Sequence, residues 1–200
     1  MSISLQKGQK VELRKSNGGS LRKVMVGLGW DEAPRRKGLF APKPEPIDCD
    51  ASAFVCMDGR LTTADDIVYF GNLEHRSGCV THMGDNITGE GDGDDEKILV
   101  KLDGLEEYYD KIIFVVNIFQ ALQRKQHFGM IENAFIRICD AETCQELCRY
   151  NLSEHYDDMT AMVFGELYRY DGGWKFNAIG QGTQDNSVGD LSQRFIKQKI

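Results

Sequence analysis

The segment from Gly84 to Glu96 is the part of the sequence whose residue types and spacing could do chemistry. Nearly all of its side chains carry oxygen donors, and glycine recurs between them at almost alternate positions. Two unit charges about 4 Å apart repel by roughly 4 kcal/mol near a protein surface, so a compact loop of this kind needs a cation. Its donors are Asp85, Asn86, Thr88, Glu90, Asp92, Asp94, Asp95 and Glu96.

The donor chemistry of this acidic loop (84–96) selects the class of metal. Calcium takes about 6–8 oxygen ligands in flexible geometry, whereas zinc and copper favour histidine and cysteine, which the loop lacks. Glycines can adopt positive φ, so backbone carbonyls can converge on one ion. The loop is not an EF-hand, because no register places a glycine sixth after alternating acidic ligands. We therefore predict a calcium site, and the alternative is a solvated acidic hairpin tip.

Other acidic residues could complete such a site if the fold brings them to the same place. Asp48 and Asp50 come directly before an apolar stretch that begins at Ala51, and Asp31 ends the run 27–30. Taken alone, each is typical of a turn or a cap. Their role as ligands depends on whether the strands end beside the acidic loop.

The elements that would position these residues are predicted to be short β-strands joined by glycine-containing turns, the pattern of an all-β sandwich with a few short helices. The apolar run 111–119 predicts a central strand that is covered on both faces. The segments 162–168 and 174–178 predict a hairpin that turns at 171–173. Further strands are predicted near residues 11, 23, 51, 67, 97 and 134.

Helix is predicted to be scarce. Residues 105–109 are predicted to form one turn, 120–125 a helix or irregular segment, and 192–199 a short helix that packs Phe195 and Ile196. The sequence contains no internal repeat and no sharp shift in composition. We therefore predict a single domain over 1–200, with a C-terminal helix or tail within 185–200.

Bulk properties exclude several classes of protein. The chain has 200 residues and a formal net charge of −7, which disfavours nucleic acid and anionic lipid surfaces as partners. No secretory signal opens the chain, and no apolar stretch approaches the roughly 20 residues of a transmembrane segment. Among the 6 cysteines, the spacing of Cys139, Cys144 and Cys148 fits no common zinc pattern. The expectation is a cytoplasmic protein with reduced thiols.

Residue types used in catalysis form no recognisable pattern. The sequence contains no P-loop, no His-Glu-x-x-His motif and no Gly-x-Ser-x-Gly motif. Glu166 could be a buried acid, but pairing with Arg169 or Lys175 explains it more simply. His82 is close to the acidic loop and is interpreted as a surface residue of a strand. We predict a protein that is not an enzyme, with a metal-dependent hydrolase as the alternative.

Several long and unusual motifs accompany the acidic loop along the chain. They are Val-Gly-Leu-Gly-Trp-Asp (26–31), Asp-Ala-Ser-Ala (50–53), Asn-Ala-Phe-Ile-Arg (133–137), Arg-Tyr-Asn-Leu-Ser-Glu (149–154), Ala-Met-Val-Phe-Gly-Glu-Leu-Tyr-Arg (161–169) and Gly-Gln-Gly (180–182). With the acidic loop, these motifs closely resemble the tellurite-resistance TerD family from about Ser4 to Gly182.

The resemblance implies a β-sandwich that binds calcium, with more than one ion, through clustered loops. It implies a non-enzymatic role in bacterial stress systems linked to tellurite, phage and colicin resistance. Such a protein would bind or scaffold other stress-response proteins inside the cell, in a complex that could be peripheral at the inner membrane face. A receptor for a small ligand or a tellurium oxyanion, using the basic residues 35–37 or Cys79, is the alternative.

The resemblance also implies which residues bind the metal. The family motif matches Asp85, Asn86, Gly89, Gly91, Asp94, Asp95 and Glu96, whereas Glu90 and Asp92 fall at variable positions. Asp31 and Asp50 match acidic positions elsewhere, and Asp48 is retained beside Cys49, where the family usually has leucine. An acidic residue is common where Gln120 stands, so an outer metal contact from that position is not expected here.

Overall fold

Two six-stranded sheets pack face to face in the computed structural model, which describes residues 2–15, 18–33, 45–84, 93–152 and 154–196. The all-β sandwich predicted from the sequence is therefore confirmed. The strands are β1 (Ile3–Leu5), β2 (Lys10–Glu12), β3 (Lys23–Glu32), β4 (Cys49–Met57), β5 (Ile67–Val68), β6 (Val80–His82), β7 (Glu96–Lys101), β8 (Tyr109–Ile118), β9 (Ile131–Asp140), β10 (Glu146–Asn151), β11 (Ala161–Tyr170) and β12 (Gly173–Thr183).

Two short α-helices and two 3₁₀ turns join strands within the described residues. The helices are α1 (Ala121–Arg124) and α2 (Val188–Gln193), and the 3₁₀ turns are Ala64–Asp66 and Phe128–Met130. Sheet A has the order β1-β10-β9-β3-β7-β6, and sheet B has the order β2-β12-β11-β8-β4-β5. Apart from the parallel pairing of β1 with β10, the neighbouring strands are antiparallel.

The apolar run in β8 is buried on both faces, as predicted. One set of alternating side chains, which includes Ile112 and Phe114, joins the core between the sheets. The other set, with Ile113 and Val115, joins a second apolar cluster on the outer face of sheet B. Because successive strand residues point to opposite faces, a strand that is covered twice has no polar alternation.

The C-terminal segment covers the outer face of sheet B. Leu191 of α2 is fully buried in the second cluster, and the ring of Phe195 meets that of Phe54 edge to face at 5.7 Å. The predicted packing of Phe195 and Ile196 is confirmed, but the helix begins and ends earlier than the predicted 192–199. Its start is fixed by Ser187, whose Oγ accepts a hydrogen bond from the backbone N–H of Asp190 at 3.0 Å.

Some predictions about local structure were wrong. Residues 105–109 form no helix, but they contain a single hydrogen-bonded turn, in which the Tyr109 N–H donates to the Glu106 carbonyl at 3.0 Å, before β8 begins at Tyr109. The predicted hairpin is confirmed, with a turn one residue shorter than 171–173: the chain passes from β11 to β12 through Asp171 and Gly172, which have φ of 49° and 72°, typical of a two-residue type I′ turn. The strands β1, β6 and β10 were not predicted, and β1 and β6 are only three residues long, too short to display an alternating pattern.

We predict that Leu191→Ala lowers the free energy of unfolding by about 2–5 kcal/mol, the usual range when a fully buried leucine is truncated. The physical reason is the cavity that it would leave on the outer face of sheet B. Gln193→Ala, in the same helix but exposed, is the matched control and should change stability by less than about 0.5 kcal/mol. Urea unfolding measures both variants, and equal effects would mean that the C-terminal segment is not part of the folded core.

Candidate metal centre

Three strands bring acidic residues to one end of the sandwich. Leu28 in β3 lies opposite Glu96 in β7, and the backbone N–H of Ala51 in β4 donates a hydrogen bond to the Glu96 side chain at 3.0 Å. The end of β3 and the starts of β4 and β7 therefore lie together. Within the acidic loop the structure describes Gly84 and 93–96. The predicted ligands Asp85, Asn86, Gly89, Glu90 and Gly91 lie outside the described residues.

The Asp94 carboxylate is bound on the outer face of sheet A. Arg137 in β9 donates from Nε to Oδ1 at 2.6 Å and from a terminal nitrogen to Oδ2 at 3.0 Å, a bidentate geometry. The hydrogen bond to Asp94 is the main cause that raises the pKa of Arg137. Gly27 is needed beneath this pair, because a Cβ at that position would overlap with the Asp94 carboxylate.

Asp95 is held by a bulge in the neighbouring strand. The register between β3 and β9 shifts between Gly29 and Asp31, and the N–H of Trp30 donates to Asp95 Oδ2 at 2.7 Å. Burial raises the pKa of the Asp95 carboxyl, and the nearby charges of Asp31 and Asp94 raise it further. Three negative charges therefore repel one another at this position, an arrangement that a bound cation would relieve.

Glu96 connects the two sheets. Its Oε2 accepts hydrogen bonds from the Ala51 N–H of sheet B at 3.0 Å and from His82 Nε2 of sheet A at 2.8 Å. Only 2% of Glu96 and 3% of His82 is exposed, so the pair is an internal contact. The interpretation of His82 as a surface residue was therefore wrong, because its imidazole is buried against the Glu96 carboxylate.

The acidic residues outside the loop fall into separate surroundings. Asp31 is exposed, and its Oδ2 accepts a hydrogen bond from the Asn133 side chain at 2.8 Å. Asp50 is buried opposite Asn117 in β8, whose amide nitrogen lies 3.5 Å from Asp50 Oδ2. Asp48 lies at 4.0 Å from Arg124. All three are at the same end of the sandwich as the acidic loop.

The negative field at this end is visible in its effect on one thiol. Burial raises the pKa of Cys49 well above its usual value, and the charges of Asp50, Asp48, Glu96 and Asp95 raise it further. Four carboxylates, at the starts of β4 and β7 or directly before them, therefore act on one buried position. Their chemistry is that of hard oxygen donors, which suits calcium or magnesium better than zinc.

A second observation concerns buried oxygen atoms that could bind a cation. Asn117 Oδ1 and Ser52 Oγ are buried and have no hydrogen-bond partner, although buried polar atoms are normally paired. Over the described ranges, no three His, Cys, Asp or Glu side chains are arranged to hold an ion. The described residues thus fit a cation only in part, and a complete ligand set would need oxygens from residues 85–92.

Residues named for rival chemistries have structural partners. Glu166 pairs with Lys111 at 2.9 Å and accepts from Asn177 at 3.0 Å, so it has partners on both neighbouring strands of sheet B, and the predicted partners Arg169 and Lys175 were wrong. Arg169 instead donates to backbone carbonyls, including that of Tyr109 at 2.9 Å.

The cysteines considered for metal or tellurium chemistry are mostly buried. Cys79 is buried, and its Sγ donates to the carbonyl of Ser77 at 3.5 Å. Burial raises the pKa of Cys148 to about 12, which keeps this thiol protonated and unreactive. Cys139 is also buried, whereas Cys144 is exposed. The basic residues 35–37 lie outside the described part of the chain.

A hydrogen-bonded chain of Asp66, His75 and Ser77 has the residue types of a hydrolase triad. His75 Nδ1 lies 2.8 Å from Ser77 Oγ and accepts from the Ser77 N–H at 3.2 Å, and Nε2 lies 3.2 Å from Asp66 Oδ1. Asp66 and His75 are buried, and Ser77 is only two residues after His75. These hydrogen bonds therefore stabilise a turn beside β6. Arg76 also pairs with Asp66 at 2.9 Å.

The sandwich and the clustered acidic strand ends define an all-β protein with a candidate cation site in its loops. Comparison with known proteins identifies the family: the TerD domain model matches residues 1–195, and the chain belongs to the TerD domain family. None of the helices in the described part of the chain has the length and apolar character needed to span a bilayer.

The relatives carry the names of stress and resistance proteins. The chain is 45% identical over 200 residues to stress response protein SCP2 of Bacillus subtilis, covering 98% of this chain and 100% of that protein. It is 46% identical over 183 residues to tellurium resistance protein TerD of Serratia marcescens, covering 91% of each.

Solved structures support the fold. A homologue of telluride resistance protein TerD, SCO6318 from Streptomyces coelicolor, superposes with a TM-score of 0.62 at 23% identity, over 84% of this chain and 94% of the other. The protein of unknown function SAV2460 gives a TM-score of 0.68 at 23% identity, over 90% of this chain and 99% of the other.

We predict that Arg137→Met, measured in chelator, lowers the free energy of unfolding by about 1.5–3 kcal/mol, the usual contribution of hydrogen bonds to a charged group. The reason is that the substitution leaves the buried Asp94 carboxylate without its bidentate donor. Arg22→Met, at the exposed pair with Asp103, is the matched control and should have no measurable effect. Equal losses of stability in both variants would contradict a special role for the hydrogen bonds between Arg137 and Asp94.

We also predict a pH-dependent contribution from His75. Burial lowers the pKa of His75, although its hydrogen bond to Asp66 opposes the shift. The unfolded state therefore binds a proton below about pH 6.5 more readily than the folded state does, so this contribution is complete above that pH and decreases as the pH falls. The stability difference between wild type and His75→Gln, from urea unfolding, should shrink from pH 7.5 to pH 5.5. A difference that does not change with pH would contradict this.

Proposed function

We propose that this chain is a calcium-binding, non-enzymatic stress-response protein that acts as a binding or scaffolding component of a larger complex. The observation that carries the proposal is the convergence of carboxylates from β3, β4 and β7 at one end of the sandwich, beside both ends of the acidic loop. The relatives, which are named for stress response and tellurium resistance, support the cellular role. The partner proteins and the cellular location stay predictions from the family resemblance.

Calcium is the proposed ion because of the kinds of donors present. The loop sequence offers carboxylates, an amide and glycine-flanked carbonyls, and calcium accepts about 6–8 such oxygens without strict geometry. The mutual repulsion around Asp95 supports a divalent cation at this end. Magnesium demands octahedral geometry and retains waters, so we propose that it binds more weakly.

The proposed ligands divide into two groups, which supports more than one ion. Asp31 and Asp95 lie together at the end of sheet A. Asp50, with Asn117, lies on the face of β4 and β8 that alternation assigns to Phe54 and Ile113. In this proposal residues 85–91 complete the coordination, and Asp48 lies at the edge of the second group.

Asp94 has a different proposed role from its neighbours. Both of its oxygens are bonded to Arg137, so it fixes the end of the acidic loop on sheet A. Asp95 has only Oδ2 in a hydrogen bond to Trp30 among its described contacts. We therefore propose that Asp95 binds the ion directly and that Asp94 positions Asp95.

We predict that excess calcium raises the melting temperature by about 5–10 °C over excess chelator at matched ionic strength. A ligand at about 100 times its dissociation constant adds roughly 2.7 kcal/mol to a native state that alone binds it. A domain of this size gains about 2–4 °C per kcal/mol. Thermal melts with calcium, magnesium and chelator test this, followed by calorimetry to count ions.

The test variant is Asp95→Asn, which should weaken calcium binding. The matched control is Asp103→Asn, which should leave calcium binding unchanged, because Asp103 is exposed and lies beyond the far end of β7. A melting temperature that is the same in calcium and chelator would contradict the proposal. Tight retention of zinc without calcium would contradict it as well.

A further inference from the structure

A cavity of about 520 Å³ lies beside α1. Its walls come from three segments, which are α1 with the residues that follow it, the residues directly before β11 and the residues directly after β12. None of the lining residues belongs to the acidic loop or to the candidate metal ligands, and the volume suits a small molecule. Most of the lining side chains are polar, and they include Lys125, Gln126, His127, Asp158, Gln184 and Asn186.

Hydrogen bonds hold the three wall segments together. The Phe128 N–H donates to the Met159 carbonyl at 2.8 Å, and the Thr160 N–H donates to the Thr183 carbonyl at 2.9 Å. Thr160 Oγ1 donates in addition to the Asp185 carbonyl at 2.7 Å. The walls are therefore fixed before any ligand binds, which lowers the entropy cost of binding.

Two buried polar atoms in the wall have no partner among the described residues. Gln126 is only 4% exposed, and its amide nitrogen donates to the carbonyls of Glu45 at 3.1 Å and Pro46 at 3.0 Å. These two acceptors fix the orientation of the amide, so Oε1 is the atom that has no hydrogen bond. His127 Nδ1 is also buried and unpaired. Because buried polar atoms are normally paired, the wall has hydrogen-bonding capacity that the protein itself does not use.

Two opposite charges border the cavity without pairing with each other. Lys125 and Asp158 are both exposed, and the described part of the chain shows no ion pair for either. Their φ angles are 51° and 61°, in the left-handed region that glycine adopts more easily. The two positions thus carry charged side chains where the backbone favours glycine, and both charges remain available to a ligand.

We propose that this cavity binds a free amino acid with an uncharged polar side chain. Lys125 pairs with the α-carboxylate of the ligand, and Asp158 pairs with its α-ammonium group. Two opposite protein charges at one cavity are complementary to a zwitterion, whereas a ligand with a single charge would leave one of them unpaired. The site goes beyond the proposed function and does not depend on calcium.

The other lining residues select the side chain of the ligand. Gln126 Oε1 can only accept, so it needs an N–H or O–H from the ligand. The amides of Gln184 and Asn186 can both donate and accept. Ala121 and Leu122 supply apolar surface for methylene groups. A side-chain amide or hydroxyl on a short aliphatic stem fits this combination.

Ligands that differ by one charged group test the proposal. The probes are L-glutamine, L-asparagine and L-serine, each compared with the analogue that lacks the ammonium and the analogue that lacks the carboxylate. For L-glutamine these analogues are glutaramate and γ-aminobutyramide. Calorimetry uses the full chain in excess chelator, so that the result is independent of the proposed calcium site.

We expect at least one of the amino acids to bind with a dissociation constant of about 1 mM or below, and each of its analogues to bind at least about tenfold more weakly. Absence of binding by all three amino acids at about 10 mM would overturn the proposal. Equal binding of an amino acid and its two analogues would overturn it as well.

Two substitutions should give a crossed pattern of selectivity. Asp158→Asn should abolish the preference over the analogue that lacks the ammonium and keep the preference over the other analogue. Lys125→Gln should do the reverse. The matched controls are Asp58→Asn, at an exposed aspartate with φ of 50°, and Lys10→Gln, at an exposed lysine. Both controls should bind like wild type. A general loss of structure would not produce the crossed pattern, and wild-type selectivity in either test variant would overturn the proposal.

Nuclear magnetic resonance locates the ligand directly. The side-chain amide signals of Gln126, Gln184 and Asn186 should shift during titration with the amino acid that binds. The signals of Gln6, an exposed glutamine outside the cavity, should not shift. Binding that leaves the Gln126 amide signals unchanged would place the ligand elsewhere and overturn the proposal.

Discussion

The buried Glu96 carboxylate is the interaction on which the arrangement at the loop end of the sandwich depends. The pairing of β5 with β4 covers only Ala53 and Phe54, so the N–H of Ala51 extends beyond the last strand partner on that side. Glu96 supplies the acceptor that this N–H needs, and His82 supplies a second donor to the same oxygen. An unpaired buried charge would be costly. The carboxylate therefore holds β4, β6 and β7 together at this end of the sandwich.

The three consecutive acidic residues at the end of the loop have separate structural roles because the chain bends before β7 begins. Asp94 reaches the outer face of sheet A and binds Arg137, Asp95 accepts from the Trp30 bulge in β3, and Glu96 turns inward to sheet B. The sequence motif presents these residues as one set of metal ligands. In the structure they also attach the end of the acidic loop to three different parts of the sandwich through protein hydrogen-bond donors.

The sequence predicted the sandwich, the twice-covered strand β8 and the hairpin of β11 and β12, because each depends on local patterns of apolar residues and turn glycines. It also predicted which strand ends carry acidic residues. It did not predict the role of His82, whose burial depends on Glu96, 14 residues further along the chain. Nor did it predict Arg137 as the partner of Asp94, 43 residues away. Hydrogen bonds between distant residues leave no local pattern in a single sequence.

The carboxylates at this end of the sandwich differ in whether protein donors already balance their charge. This difference indicates which of them a metal ion would affect. The Asp94 and Glu96 carboxylates have protein donors of their own, so these attachments do not require an ion. The repulsion that remains acts on Asp95, whose carboxyl pKa is raised by burial and further by the charges of Asp31 and Asp94. A cation would act mainly on this remaining repulsion and on the loop beyond it. The apolar core between the sheets is built mainly from strand residues without charge, so it would keep its packing with or without the ion.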